Sequence, residues 1–168
     1  MLTRTRKRKE AVPYAAAKPA TKAAKLQEGL DFGGLEDHLG FLLRMAYVVA
    51  SRHFARAMDR LDLTQKQTGV LWLISANGGA SQTAIANELG MDRASMMAIV
   101  DRLEERELVT RERSQHDGRR QALYLTPKGR RLLSQARDAL MRHETWLATP
   151  FTPEELAALK ALLKRVPH

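Results

Sequence analysis

SQTAIANELGMDRASMMAIVDRLEERELVTRERSQHDGRRQALYLTPKG, from Ser81 to Gly129, holds two short helical patterns, a turn signal and an alternating apolar run. Ser81 is placed to cap a helix carrying Ile85, Ala86 and Leu89. Gly90 supplies a residue free to adopt a left-handed turn, and Asp92 is placed to cap a second helix. Within that second helix Met96, Ile99, Val100 and Leu103 recur at i, i+3, i+4 and i+7, so they face a core. Arg93, Ala94, Ser95, Met97, Ala98 and Asp101 are left on or near the outside. The spacing predicts a helix-turn-helix, although any helical hairpin shares part of this pattern.

The residues that follow separate the two readings. LVTRER (108–113) and QALYL (121–125) read as strands joined by SQHDGRR (114–120), in which Asp117-Gly118 is a turn signal. A basic hairpin fused to the end of a helix-turn-helix, with a new helix opening at TPKGRRLL, reads as a wing. Its tip is expected to set Arg119 or Arg120 in a minor groove, where narrow width concentrates negative potential. A solvated surface hairpin is the competing reading. The second helix would lie in the major groove and read bases mainly from its N-terminal turns, where short side chains allow close approach. Further candidate DNA contacts are Ser81, Gln82 and Thr83 at the start of the first helix, Arg102 on the second, and Arg111 and Arg113 on the first strand.

Outward from this unit the pattern stays helical. LEDHLGFLLRMAYVVASRHFARAMDRL (35–61) repeats apolar residues at spacings of three and four and predicts one long amphipathic helix. It carries more apolar faces than one small domain needs, which suits either a partner chain or a buried central helix. Thr64 caps the next helix, whose apolar stretch runs from Val70 to Ile74 and stops at Asn77-Gly78-Gly79. Thr126 with Pro127 opens a helix bearing Leu132, Leu133, Ala136, Leu140, Trp146 and Leu147, and Thr152, Pro153 and Glu155 open another with a capping box. The expected class is mainly α with a small β-hairpin wing (α+β): a winged helix-turn-helix with a helical dimerisation layer formed by N- and C-terminal helices.

At 168 residues the chain suits one main domain. Residues 1–34 hold eight Lys and Arg against three Asp and Glu, a net +5 of the total +9, and read as a basic arm too poor in large apolar groups to fold alone. It would act as a phosphate-binding arm or as a solubilising tail. Residues 35–168 form the domain, with 35–62 and 127–168 as dimerisation helices and 63–126 as the winged unit. No apolar run approaches the roughly 18 residues of a membrane span, and no uninterrupted apolar segment follows the basic start, so a cytoplasmic address without membrane partners is expected. The absence of cysteine excludes disulfides, thiolate metal sites and Cys nucleophiles. His38, His53, His116, His143 and His168 lack metal-site spacing, so no metal is expected. No phosphate loop, nucleophile elbow or HExxH is present, so no enzyme, no catalytic residue and no cofactor are expected.

The chain from about Leu35 to Val166 resembles the MarR family of bacterial winged helix-turn-helix regulators. DGRRQALYLTPKG matches that family's wing signature at Asp117, Arg119, Leu125, Thr126 and Gly129, and LGMDRASMMAIVDRLEERELVTRE matches its recognition-helix segment. The resemblance implies an obligate homodimer on a double-stranded DNA operator, a recognition helix over 92–104, Arg119 in the minor groove and Asp117 orienting the wing by ion pairing. One departure stands out: Ala94-Ser95 and Met97-Ala98 occupy the groove face where members often carry Ser-Thr and a further Thr or Arg. Base readout here is therefore expected to lean on thymine methyls and DNA shape.

The resemblance also implies a pocket between dimerisation layer and winged domain, for an aromatic carboxylate, a phenolic compound or an aromatic acyl-CoA. Candidate polar groups for it are His38, Arg44 and His53, and candidate walls are Met45, Met58 and Trp72; each also suits an ordinary surface or core role. The expected function is a ligand-released repressor of a palindromic operator. The alternative is a non-specific architectural DNA-binding protein without an effector.

Overall fold

A computed structural model describes residues 30–113 and 121–166. Six helices and one hairpin follow in order: α1 (Leu39–Met58), α2 (Gln65–Ala76), α3 (Gln82–Glu88), α4 (Arg93–Glu105), β1 (Val109–Arg113), β2 (Gln121–Leu125), α5 (Pro127–Ala148) and α6 (Pro153–Leu163). Five of the helices begin at the cap residues that the sequence places. The hydroxyls of Thr64, Ser81, Thr126 and Thr152 and the carboxylate of Asp92 each accept a backbone N–H three residues on, at 2.8–3.2 Å. Such a cap contributes about 1 kcal/mol. Gln67 and Glu155 return the bond to the cap residue's own N–H, which completes two capping boxes.

The first helix differs from its expected extent. Leu35–Asp37 and Asp59–Leu61 are 3-10 turns rather than parts of one helix. His38 has extended backbone (φ −85°, ψ 128°), which breaks the helical path at the first end, and Asp62 at φ 48° ends it at the other. Of α1 itself only Phe54 and Met58 are buried. Leu39 and Tyr47 are 69% and 61% exposed, and Leu42, Leu43, Met45 and Val49 are also open to solvent. A buried central helix is therefore excluded within one chain. α6 likewise buries no residue.

The core lies in the winged unit. Leu71 and Ile74 of α2, Met96, Val100 and Leu103 of α4, Leu123 of β2 and Met58 of α1 pack into one cluster with Leu133, Ala136 and Ala139 of α5. Each fully buried large side chain contributes about 1.5–3 kcal/mol. The strands pair antiparallel with Val109 opposite Leu125 and Arg113 opposite Gln121. The loop before α3 joins them on the other edge: Leu123 donates its N–H to Ala80 and accepts from Gly79, both at 3.0 Å. The hairpin is thus tied to the helix-turn-helix by backbone as well as by side chains.

Its other tie is a close crossing. α4 ends in a left-handed Glu107 (φ 59°), and the chain turns beneath the first turn of α5. Thr126 donates its N–H to the Leu108 carbonyl at 3.1 Å and its hydroxyl to the Glu107 carbonyl at 2.7 Å. A Cβ on Gly129 would stand 2.0 Å from the Leu108 oxygen, so only glycine fits there.

A second polar feature joins α1 to α5. His53 and His143 face each other through their Nδ1 atoms at 2.8 Å, so one ring donates and the other accepts. The indole of Trp146 stacks on His53 with ring centroids 3.8 Å apart, and Phe54 meets His143 edge-on. His143 is 4% exposed. Burial first, and then the neighbouring His53, hold its imidazole below the ordinary histidine range, while Glu144 opposes the shift.

Gly129→Ala is expected to cost roughly 3 kcal/mol or more in urea unfolding, because backbone must move. Gly40→Ala in α1, where an added Cβ meets nothing within 4 Å, is expected to stabilise by about 0.5–1 kcal/mol; equal effects at the two sites would remove the crossing as a constraint. For His143 the folded value is depressed, so its contribution is present above the ordinary histidine value of about 6.5 and is lost on acidification. The urea midpoint is expected to fall between about pH 7.5 and about pH 5.5, and to fall less in His143→Phe; an equal fall in both proteins would sink the assignment.

Candidate nucleic-acid interface

α3, α4 and the hairpin enclose an open cleft of about 930 Å³, with Gln82 and Thr83 on one wall, Arg93 and Met97 on the second, and Arg111 and Gln121 on the third. Apolar periodicity decides which side of α4 faces this cleft. Met96, Val100 and Leu103 point into the core, while Arg93, Ala94, Met97 and Ala98 are exposed, Met97 by 53%. Arg102 is exposed on the same helix, near its C-terminal end.

Polar groups at the start of α4 are partly committed to each other. Ser95 donates its hydroxyl to Asp92 Oδ2 at 2.6 Å, and its N–H goes to Oδ1 at 2.8 Å. These bonds hold the Asp92 carboxyl below its usual range, so it stays ionised. Ser95 consequently offers a partner its acceptor lone pairs rather than its proton. Ser81, half-buried, is occupied as a helix cap and bridges to Ala122 on β2. It lines the cleft, and its hydroxyl proton is not used by the cap bond.

Arg111, a candidate DNA contact, lines the cleft and donates Nη1 to Glu104 and Nη2 to Asp101. Its side chain is 17% exposed. Arg113, two residues nearer the hairpin tip, is exposed. Asp117, Arg119 and Arg120, and the arm over 1–29, lie outside the described residues.

The first cleft is lined by none of the six candidate effector residues. Met58 belongs to the core at 1% exposure: as the last residue of α1 it points inward beside Phe54. Trp72, 37% exposed, lies beneath the Arg137 guanidinium at 4.6 Å. His38 sits before α1 with its ring on the Gly34 carbonyl at 3.1 Å, and Arg44 and Met45 are exposed further along that helix. His53 is engaged with His143 and Trp146. A second cleft of about 510 Å³, beside Ser75, Tyr124, Thr126 and Arg130, includes none of the six. Among the described residues no three His, Asp or Glu side chains gather as a metal site, and no helix is long and apolar enough to cross a membrane.

Among the pairings that sequence reasoning missed are Arg111 with Asp101 and Glu104, His53 with His143, and Arg137 with Trp72. Only the first left a local trace, since Asp101 and Glu104 are three apart on one helix face.

Known proteins share this arrangement. Residues 61–120 match the model of the MarR family. A protein of Thauera aromatica assigned as the transcriptional regulator of the hcr operon is 36% identical over 135 residues, covering 80% of this chain and 81% of its own. The transcriptional repressor CouR, solved on a 23-mer DNA duplex, is 36% identical with a TM-score of 0.78, covering 83% of this chain and 99% of its own. CouR has also been solved with p-coumaroyl-CoA, at 35% identity over 82% of this chain and 97% of its own, with a TM-score of 0.77. With these likenesses over most of its length, and with a wing and recognition helix in the matching order, the chain belongs to the MarR family of DNA-binding transcriptional regulators.

Proposed function

We propose that this protein is a dimeric repressor that leaves a two-fold operator when an aromatic acid or its acyl-CoA thioester binds. The observation that carries the effector class is the likeness to CouR in its p-coumaroyl-CoA form. The PcaV regulator of Streptomyces coelicolor, solved with its natural ligand, is a further liganded relative at 26% identity. Support for the dimer comes from the apolar side chains that α1 and α6 leave in water, Leu39, Leu42 and Tyr47 with Leu162 and Leu163. Burying them against a second copy returns about 25 cal/mol per Å² of apolar surface.

The two-fold axis of such a dimer sets two α4 helices about one DNA turn apart, on half-sites that mirror the protein's symmetry. Release then needs only differential affinity. A ligand that prefers a dimer whose α4 helices stand at another separation draws population away from DNA. Within each half-site Met97, Ala94 and Ala98 give α4 an apolar reading face suited to thymine methyls, and Arg119 or Arg120 supplies the minor-groove contact. The basic arm over 1–34 favours a second reading, an architectural protein that coats DNA without sequence preference.

Selection of bound duplexes from a random library at about 150 mM salt separates the two readings. A consensus with two half-sites related by a two-fold is expected; no enrichment above starting frequencies leaves the architectural protein. With the selected duplex in hand, saturating p-coumaroyl-CoA is expected to weaken binding by roughly 5- to 150-fold, while CoA alone has no effect. Unchanged affinity with this thioester and with free p-coumarate would remove the effector class and leave the DNA reading intact.

A further inference from the structure

We propose that Arg111 is a positioning residue of the DNA-binding cleft, which covers two carboxylates of the recognition helix instead of contacting a phosphate itself. The inference rests on the DNA-binding reading above. Asp101 and Glu104 stand about one turn apart on α4, so both carboxylates project on the side that faces β1. Arg111 projects from β1 between them and gives one guanidinium nitrogen to each. A planar fork with fixed N–H directions suits two acceptors at this separation, whereas an ammonium on a flexible stem does not.

Two consequences follow, one of charge and one of position. Asp101 and Arg111 line the same cleft as Gln82, Arg93 and Met97. The two carboxylate side chains retain 49% and 41% exposure, so without Arg111 they would present two negative charges beside the path of a polyanion. The second consequence concerns β1. Its inner end is held by core residues Val109 and, across the ladder, Leu123 and Leu125; beyond Arg111, buried Ala122 bridges to Ser81 at the start of α3, while Glu112, Arg113 and Gln121 are exposed. Arg111 is thus the outermost tie between α4 and the hairpin among the described residues. It makes α4 and β1 approach DNA as one unit.

A direct phosphate contact and a covering role predict opposite results when the carboxylates are neutralised. Binding of the full chain to the selected duplex and to a scrambled duplex would be measured across a range of salt. Arg111→Ala is expected to weaken operator binding by about tenfold or more. Adding Asp101→Asn and Glu104→Gln to that variant is expected to recover affinity to within about threefold of the parent, with the parent's salt slope. Arg111→Lys is expected to resemble Arg111→Ala more than the parent, because it cannot bridge both acceptors.

Failure to recover affinity, with a salt slope lower by about 0.9, is the signature of one lost phosphate contact and overturns the proposal. So does an Arg111→Ala protein that binds like the parent. If Arg111→Ala is unfolded by circular dichroism, the variant Asp101→Asn with Glu104→Gln, which retains the arginine, decides. It is expected to bind scrambled duplex more tightly and to narrow the ratio between the two duplexes; an unchanged ratio overturns the proposal. A parent protein that binds no duplex at all removes the DNA reading, an outcome distinct from failed recovery.

Discussion

The Leu108 carbonyl is pressed against the first turn of α5, and the rest of the structure depends on that approach. Only a residue without Cβ at Gly129 permits it, and Thr126 fastens it by donating to the carbonyls of both Glu107 and Leu108. Three elements meet there: the end of the recognition helix, the root of the hairpin and the start of the long helix that leads out of the winged unit. Their relative angles follow from backbone, which is stiffer than any pair of side chains. Glu107 accepts a left-handed conformation to make the turn, which for a residue with a Cβ costs about 1–2 kcal/mol. The hydrogen bonds that Leu108 and Thr126 gain offset that strain.

From this junction the molecule divides by polarity. Inward lies a continuous apolar cluster that uses one face each of α2, α4 and α5. Outward along α1 and α6 the helices are formed but remain largely uncovered. The stack of His53, His143 and Trp146 lies where α1 crosses α5, between these two regions. The buried imidazole of His143 is a poor choice for stability alone, since burial disfavours its charged form. It makes the crossing sensitive to protons, in a stretch where helices of the exposed layer join the packed unit.

The recognition helix and first strand carry charges of both signs. Arg93, Arg102 and Arg113 are exposed, whereas Asp92 is held ionised at the α4 N-terminus and Asp101 and Glu104 share Arg111. A surface for a polyanion that retains three carboxylates is selective in a way that a uniformly basic one is not. Non-specific attraction is weaker, and the remaining affinity depends on geometry. The apolar side chains of Met97, Ala94 and Ala98 accentuate this, because they contribute only where a complementary surface reaches them.

How much of this was legible in the sequence depended on range. The cap residues Thr64, Ser81, Asp92, Thr126 and Thr152, the turn at Gly90 and the inward set Met96, Val100 and Leu103 were all readable, because a cap bond spans three residues and a helix repeats every 3.6. The order of helix-turn-helix, hairpin and new helix, the mainly α class with its small hairpin and the excess of apolar faces on the first helix were determined in the same local way. The ends of that helix were not, since His38 and Asp62 carry no strong stop signal. What only the tertiary structure decided lies between distant residues: Gly129 against Leu108, Arg111 on Asp101 and Glu104, His53 facing His143 across 90 positions, and Met58 turned into the core. Periodicity says that a residue faces inward or outward. It does not say what waits on that side, because the partner is chosen by how the helices cross, and crossing angles are set by packing the whole core at once.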